Sequence, residues 1–139
     1  MKKKTAYVAG SSNEIVAVRH VQQLLREAGF TITYDWTPAV EAWIKKGRPE
    51  QTARVMRKQA EEDLYGVSHA SLFVLIAPVA PSFGAGVELG YALDENHSVV
   101  IGTEAKSHIF MHVADKVFCE PINDAVKHLV KWFEKGCPE

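Results

Sequence analysis

Cysteine is scarce in this chain: Cys119 and Cys137 stand far apart among 139 residues, and neither belongs to a Cys-x-x-Cys pair. That excludes a disulfide framework and a thiolate zinc site, and it fits a reducing, cytoplasmic setting. Long apolar runs are missing as well. None approaches the about 18 residues that a membrane-spanning helix requires, so no membrane partner is expected. After Met1 and Lys2-Lys3-Lys4 the chain reads "TAYVAGSSNE", an apolar stretch too short for a secretory signal. Charge of one sign is lacking too, since 16 Lys and Arg stand against 17 Asp and Glu. With no net basic field, a nucleic-acid polymer is not an expected partner, and the lysine triplet reads as a solvated, fraying end. There is no Gly-x-Gly-x-x-Gly and no Walker lysine, which argues against a dinucleotide or triphosphate cradle. Of the 6 histidines, His108 and His112 have helical metal-ligand spacing but no third ligand and no His-Glu-x-x-His pattern, so no metal is expected.

What remains is an ordinary globular composition, 47% hydrophobic and 24% charged, in a length that suits one domain spanning residues 1–139. No repeat, low-complexity segment or linker interrupts it. "TAYVAG" (Thr5 to Gly10) reads as a buried parallel strand. Ile15 to Ala28 is expected to be a helix, with Val18, Val21, Leu24, Leu25 and Ala28 in one stripe and Gly29 as its stop. A second strand is expected over Phe30 to Trp36 and a short helix over Val40 to Lys46. A longer polar helix over Glu50 to Tyr65 would carry Ala53, Met56, Ala60 and Leu64 along one side. "ASLFVLIAP" (Ala70 to Pro78) is the most hydrophobic run and should be the central strand. His97 to Gly102 and Lys116 to Glu120 follow as strands, and Asp124 to Lys135 as a closing helix with Ala125, Leu129, Trp132 and Phe133 inside. This alternation implies an α/β fold with a doubly wound five-stranded parallel sheet, a flavodoxin-like or Rossmann-like three-layer sandwich. In such a sheet ligands bind beyond the carboxyl ends of the strands. The loops to watch are therefore Gly10 to Asn13, Asp35 to Pro38, Pro78 to Gly86 and Gly102 to Ser107.

One segment there is unusual. In "GAGVELGYAL" (residues 84–93) the only charged residue is Glu88. A carboxylate near a helix start gains from the dipole, which would help hold it ionised. Apolar flanks, however, make its burial costly unless it is paired. Next to loop glycines Gly84 and Gly86, which admit a ligand closely, Glu88 suits a nucleophile or an acid–base group as well as it suits a capping role. Asp63 in "AEEDLYG" reads either as part of a solvated trio with Glu61 and Glu62 or as a second site carboxylate. Ser11, Ser12 and Asn13 lie where a helix begins, suited to simple capping or to holding a phosphate. Ser82 after Pro81 fits plain turn chemistry. Trp36 fits either the core or a stacking surface for a base.

Together, "YVAGSSN", "DL" at Asp63 and "PSFGAGVELGYAL" resemble the nucleoside 2-deoxyribosyltransferase superfamily, which includes the transferases and the 2'-deoxynucleoside 5'-monophosphate N-glycosidases. The most specific element is Gly-x-x-x-Glu-x-Gly-Tyr-Ala, matched by Gly84, Glu88, Gly90, Tyr91 and Ala92. The resemblance spans the whole domain and implies an enzyme without a cofactor. It implies that Glu88 attacks the anomeric carbon to form a glycosyl ester, which water or a second base resolves. Asp63 would protonate or hold the departing base, and Tyr7 would orient the glutamate. Asp35 and Trp36 would lie where the superfamily places the base. Ser82 matches the serine of the N-glycosidases rather than the aspartate of the transferases. It implies a 5'-phosphate site shared with Gly10, Ser11 and the first helix terminus and completed across a dimer interface by Ser107. The N-glycosidases often have a basic residue where Asn13 stands. The stretch "ENHSVVIGTEAKSHIFMHVADKVF" also resembles a less characterised group of short deoxyribosyltransferase-like proteins. The expected partners are thus a small nucleotide or nucleoside and further copies of the chain, a homodimer or larger, with Ile109, Phe110 and Met111 supplying apolar contact. The alternatives are deoxyribosyl transfer between bases, a non-catalytic nucleotide sensor, and cleavage at the ribosyl bond of NAD.

Overall fold

A computed structural model describes residues 3–78, 82–93, 96–102 and 109–139. Among these residues the strands are β1 (Thr5–Ala9), β2 (Thr31–Ile32), β3 (Leu72–Ile76), β4 (His97–Ile101) and β5 (Lys116–Phe118). The helices are α1 (Ile15–Glu27), α2 (Thr37–Lys45), α3 (Ala53–His69), α4 (Phe83–Ala92) and α5 (Ile122–Glu134). All strand pairs are parallel, in the order β2-β1-β3-β4-β5. Helices α3 and α4 pack together on one side of the sheet, α1 and α5 on the other. This is the flavodoxin-like α/β sandwich that the alternating pattern implies. Its core is the continuous apolar runs of β1, β3 and β4, with every residue of β3 buried. Strands covered on both faces have no use for polar alternation.

The amphipathic helices follow their stripes. Ile15, Val18, Val21 and Leu25 bury one face of α1, while Leu24 and Ala28 sit at the margin of the core. Ala125, Leu129, Trp132 and Phe133 are all buried in α5, which starts two residues before the expected Asp124.

Among the boundaries that differ from expectation, three have a clear tertiary reason. Only Thr31 and Ile32 of the second strand pair with β1, because β2 is an edge and the chain turns away at Asp35 to cap α2. Helix α2 begins at Thr37 rather than Val40, with Pro38 tolerated in its first turn. Helix α3 does not stop at Tyr65 but runs through Gly66 to His69. A Cβ at Gly66 would lie 2.6 Å from Tyr34 Cβ and 2.8 Å from Tyr7 Cδ2. The glycine is therefore the point where α3 presses onto the sheet, and that packing outweighs its poor helix propensity. The expected inner stripe of α3 is also corrected: Ala53, Met56 and Ala60 are exposed, and the buried residues are Gly66 and Val67. Residues 52–58 are exposed on every side, so the first turns of α3 stand clear of the body.

Candidate active site

Tyr7, Asp63 and Glu88 come from three different elements and meet on the α3–α4 side of the sheet. Tyr7 lies in mid-β1 and is 1% exposed. Its ring stacks on Phe73 of β3, with centroids 6.1 Å apart and planes 8° from parallel, and its edge is held by Gly66. Glu88 lies in the second turn of α4, not the first. It is therefore beyond the terminal turn where the helix dipole acts most strongly. Its Oε2 is buried and has no hydrogen-bond partner among the described residues. Burial raises the Glu88 pKa; the Tyr7 hydroxyl, as a hydrogen-bond donor, lowers it; the Asp63 charge raises it again, and the net value is about 7. The expectation that the helix start holds Glu88 ionised is thus reversed, because desolvation outweighs the dipole at this depth. Asp63 is raised to about 6, by burial first and then by the neighbouring Glu62 charge. Burial, followed by the Glu88 and Asp63 charges, holds the Tyr7 phenol far above its usual value, so it remains a neutral donor.

Two carboxyl groups with raised proton affinity beside a neutral phenol can share one proton near neutral pH. With that proton on Asp63, Glu88 presents an unpaired carboxylate oxygen and Asp63 an acid. That is the complement needed for nucleophilic displacement assisted by a general acid.

The residues expected on the phosphate side follow β1 and β3, the neighbouring strands at the switch point in strand order. Gly10 leaves β1, and a Cβ there would lie 2.7 Å from Val18 Cγ2, so close packing of α1 already requires the glycine. Ser11 Oγ accepts from Asn13 N at 3.3 Å and caps the 3-10 turn Ser12–Glu14 that leads into α1. Ser82 caps α4, its Oγ accepting from Ala85 N at 3.2 Å. A Cβ at Gly84 or Gly86 would meet no described atom within 4 Å, which leaves the approach to α4 open. Ser107 lies outside the described residues.

Asp35 and Trp36 are drawn elsewhere. Asp35 Oδ1 accepts from Thr37 Oγ1 at 2.7 Å, Thr37 N at 3.0 Å and Gln22 Nε2 at 3.1 Å. Burial raises its pKa, but these hydrogen bonds outweigh it and hold the carboxyl below its usual value. Trp36 is 7% exposed, and its indole N–H donates to the Val8 carbonyl at 2.9 Å. Its ring belongs to the core rather than to an open stacking surface. Sequence reasoning missed Tyr34, whose hydroxyl donates to Glu62 Oε2 at 2.8 Å. The aromatic at the end of an edge strand and the doubled glutamate before Asp63 were the only signals. Among the described residues no group of acidic, histidine or cysteine side chains could hold a metal ion. Against models of known protein families and against curated proteins, the chain has no significant match.

Proposed function

We propose that the protein cleaves the N-glycosidic bond of a (2'-deoxy)nucleoside 5'-monophosphate through a glycosyl ester on Glu88, as the resemblance to the deoxyribosyltransferase superfamily implies. The observation that carries the reading is the buried, unpartnered Oε2 of Glu88 beside Asp63 and Tyr7. An uncompensated carboxylate is costly in a core, and a covalent bond to carbon is one way to satisfy it. In the first step the Glu88 oxygen bonds the anomeric carbon as the carbon–nitrogen bond breaks. The departing base takes the proton of Asp63. Water then attacks the anomeric carbon, gives its proton to Asp63 and releases the sugar phosphate and free Glu88. Tyr7 donates to the carboxylate and fixes which oxygen faces the sugar. Ser11, Ser82 and the N–H groups opening α1 and α4 supply neutral donors for the phosphate.

Glu88→Ala is expected to abolish release of free base from a panel of nucleosides and 5'-monophosphates while leaving the fold intact. A 2-fluoro-2-deoxyribosyl substrate is expected to add one glycosyl mass to the peptide carrying Glu88. An alanine variant that keeps most of the rate sinks the nucleophile assignment, and no adduct with any base favours a sensor. Sugar phosphate released equally with and without an acceptor base identifies hydrolysis rather than transfer.

A further inference from the structure

Tyr34 touches α3 twice. Its hydroxyl donates to Glu62 Oε2 at 2.8 Å, and its Cβ lies where a side chain on Gly66, one turn further along, would have to be. Two contacts a turn apart fix both the rotation of α3 and the direction of the Glu62 side chain. Lys58 reaches Glu62 only at 4.0 Å and is 79% exposed, so it neutralises Glu62 little. The Glu62 charge is thereby held beside Asp63 by a neutral partner. We propose that Glu62, held by Tyr34, is a positioning residue that keeps Asp63 supplied with the proton it gives to the departing base. This rests on the reading of Asp63 as the acid.

The electrostatics agree. The titratable groups coupled to Asp63 are Tyr7 from β1, Tyr34 from the segment after β2, Glu88 from α4 and Glu62 on α3 itself. Only the carboxylates, Glu62 and Glu88, can raise the proton affinity of Asp63 by their charge. They differ in constancy. The two phenols are neutral, with Tyr34 pushed up to about 12, by burial first and then by its bond to Glu62. Glu88 loses its charge when it becomes an ester. Glu62 alone takes no part in the bonds made and broken in either half-reaction, in which Asp63 would first give up a proton and then take one back from water.

The test is a carbon-13 titration of the Asp63 carboxyl in the full-length protein, paired with the pH profile of kcat/KM. Glu62→Gln is expected to move the Asp63 midpoint down by about half a unit, the size of effect expected between charges several ångströms apart near a surface. The alkaline limb of the rate profile should move with it. Tyr34→Phe should shift both in the same direction but less, and Glu61→Gln, which removes an exposed neighbour, should shift neither. An unchanged Asp63 midpoint in Glu62→Gln overturns the proposal, as does an equal shift from Glu61→Gln. The titration needs no turnover. A shifted midpoint in a protein that cleaves no glycoside would therefore refute the catalytic reading and leave the electrostatic coupling standing.

Discussion

The Glu88 carboxyl group, buried in α4 with one oxygen unpartnered among the described residues, holds its proton up to about pH 7, against an ordinary value of 4.5. Between those two pH values the folded chain binds a proton that the unfolded chain has released. Stability therefore falls as pH rises through that window, by about 3 kcal/mol for a shift of this size. Glu88→Gln should consequently melt several degrees higher than the parent protein at pH 8, with the difference closing by pH 4.5. Equal melting temperatures at pH 8 would show that the Glu88 charge is compensated after all. The same pair sets the rate profile. The proposed mechanism would require Glu88 ionised and Asp63 protonated, and with values of about 7 and 6 for the two that arrangement would be a minor distribution of one shared proton. A narrow bell centred between pH 6 and 7 is expected, and Asp63→Asn should remove its alkaline limb. Of these features, Glu88 was visible in the sequence as a charge in an apolar segment, and its raised proton affinity was not. That affinity depends on depth in α4 and on Asp63, 25 positions away in the chain, and local patterning records neither.

Helix α3 is the element that assembles the site, and Gly66 is its point of contact. Gly66→Ala would drive a methyl group into Tyr34 and the Tyr7 ring. It should cost about 1–3 kcal/mol from overpacking, and it should lower kcat by displacing Tyr7 and Asp63 together. A variant with parental stability and rate would show that α3 can lift off the sheet freely. The sequence reading ended this helix at Tyr65, just before the glycine, because glycine is a poor helix former. It could not reveal that two tyrosines from the sheet occupy the space where a side chain would go. Strands β1, β3 and β4 and helices α1 and α5 were legible because burial on both faces, or on one stripe, leaves a strong period. Strand β2 and helix α2 were legible as elements but not in their limits, which follow from the Asp35 cap and from β2 having only one neighbouring strand.

At the scale of the whole molecule, the described surface concentrates its apolar exposure along α4 and the 3-10 turn Ile109–Val113. Phe83 is 90% exposed and Ile109 76%, with Val87, Tyr91 and Phe110 beside them in the exposed class. A cleft of about 290 Å³ lined by Gly86, Leu89, Gly90, Leu93 and Phe110 runs between the two segments. Among the described residues no helix is long and apolar enough to cross a membrane. A patch of this kind fits association between copies of the chain. A Cβ at Gly86 or Gly90 would meet no described atom of the single chain. Alanine there should therefore stabilise an isolated chain by up to about 1 kcal/mol through helix propensity. If a second copy packs on this face, Gly86→Ala with Gly90→Ala should instead lower the mass seen by light scattering at micromolar concentration. A parental protein that is monomeric and fully active would refute assembly at this surface.

Helix α3 also has a consequence in time. Its second half is clamped to the sheet at Gly66 and Val67, while residues 52–58 are exposed all round. Gln59 and Met56 lie one and two turns before Asp63 on the same side of the helix, in the half that the body does not hold. Amide exchange along one continuous helix should then be fast before Gln59 and slow after Asp63. Occupation of the site would be recorded as slowing in the fast half alone.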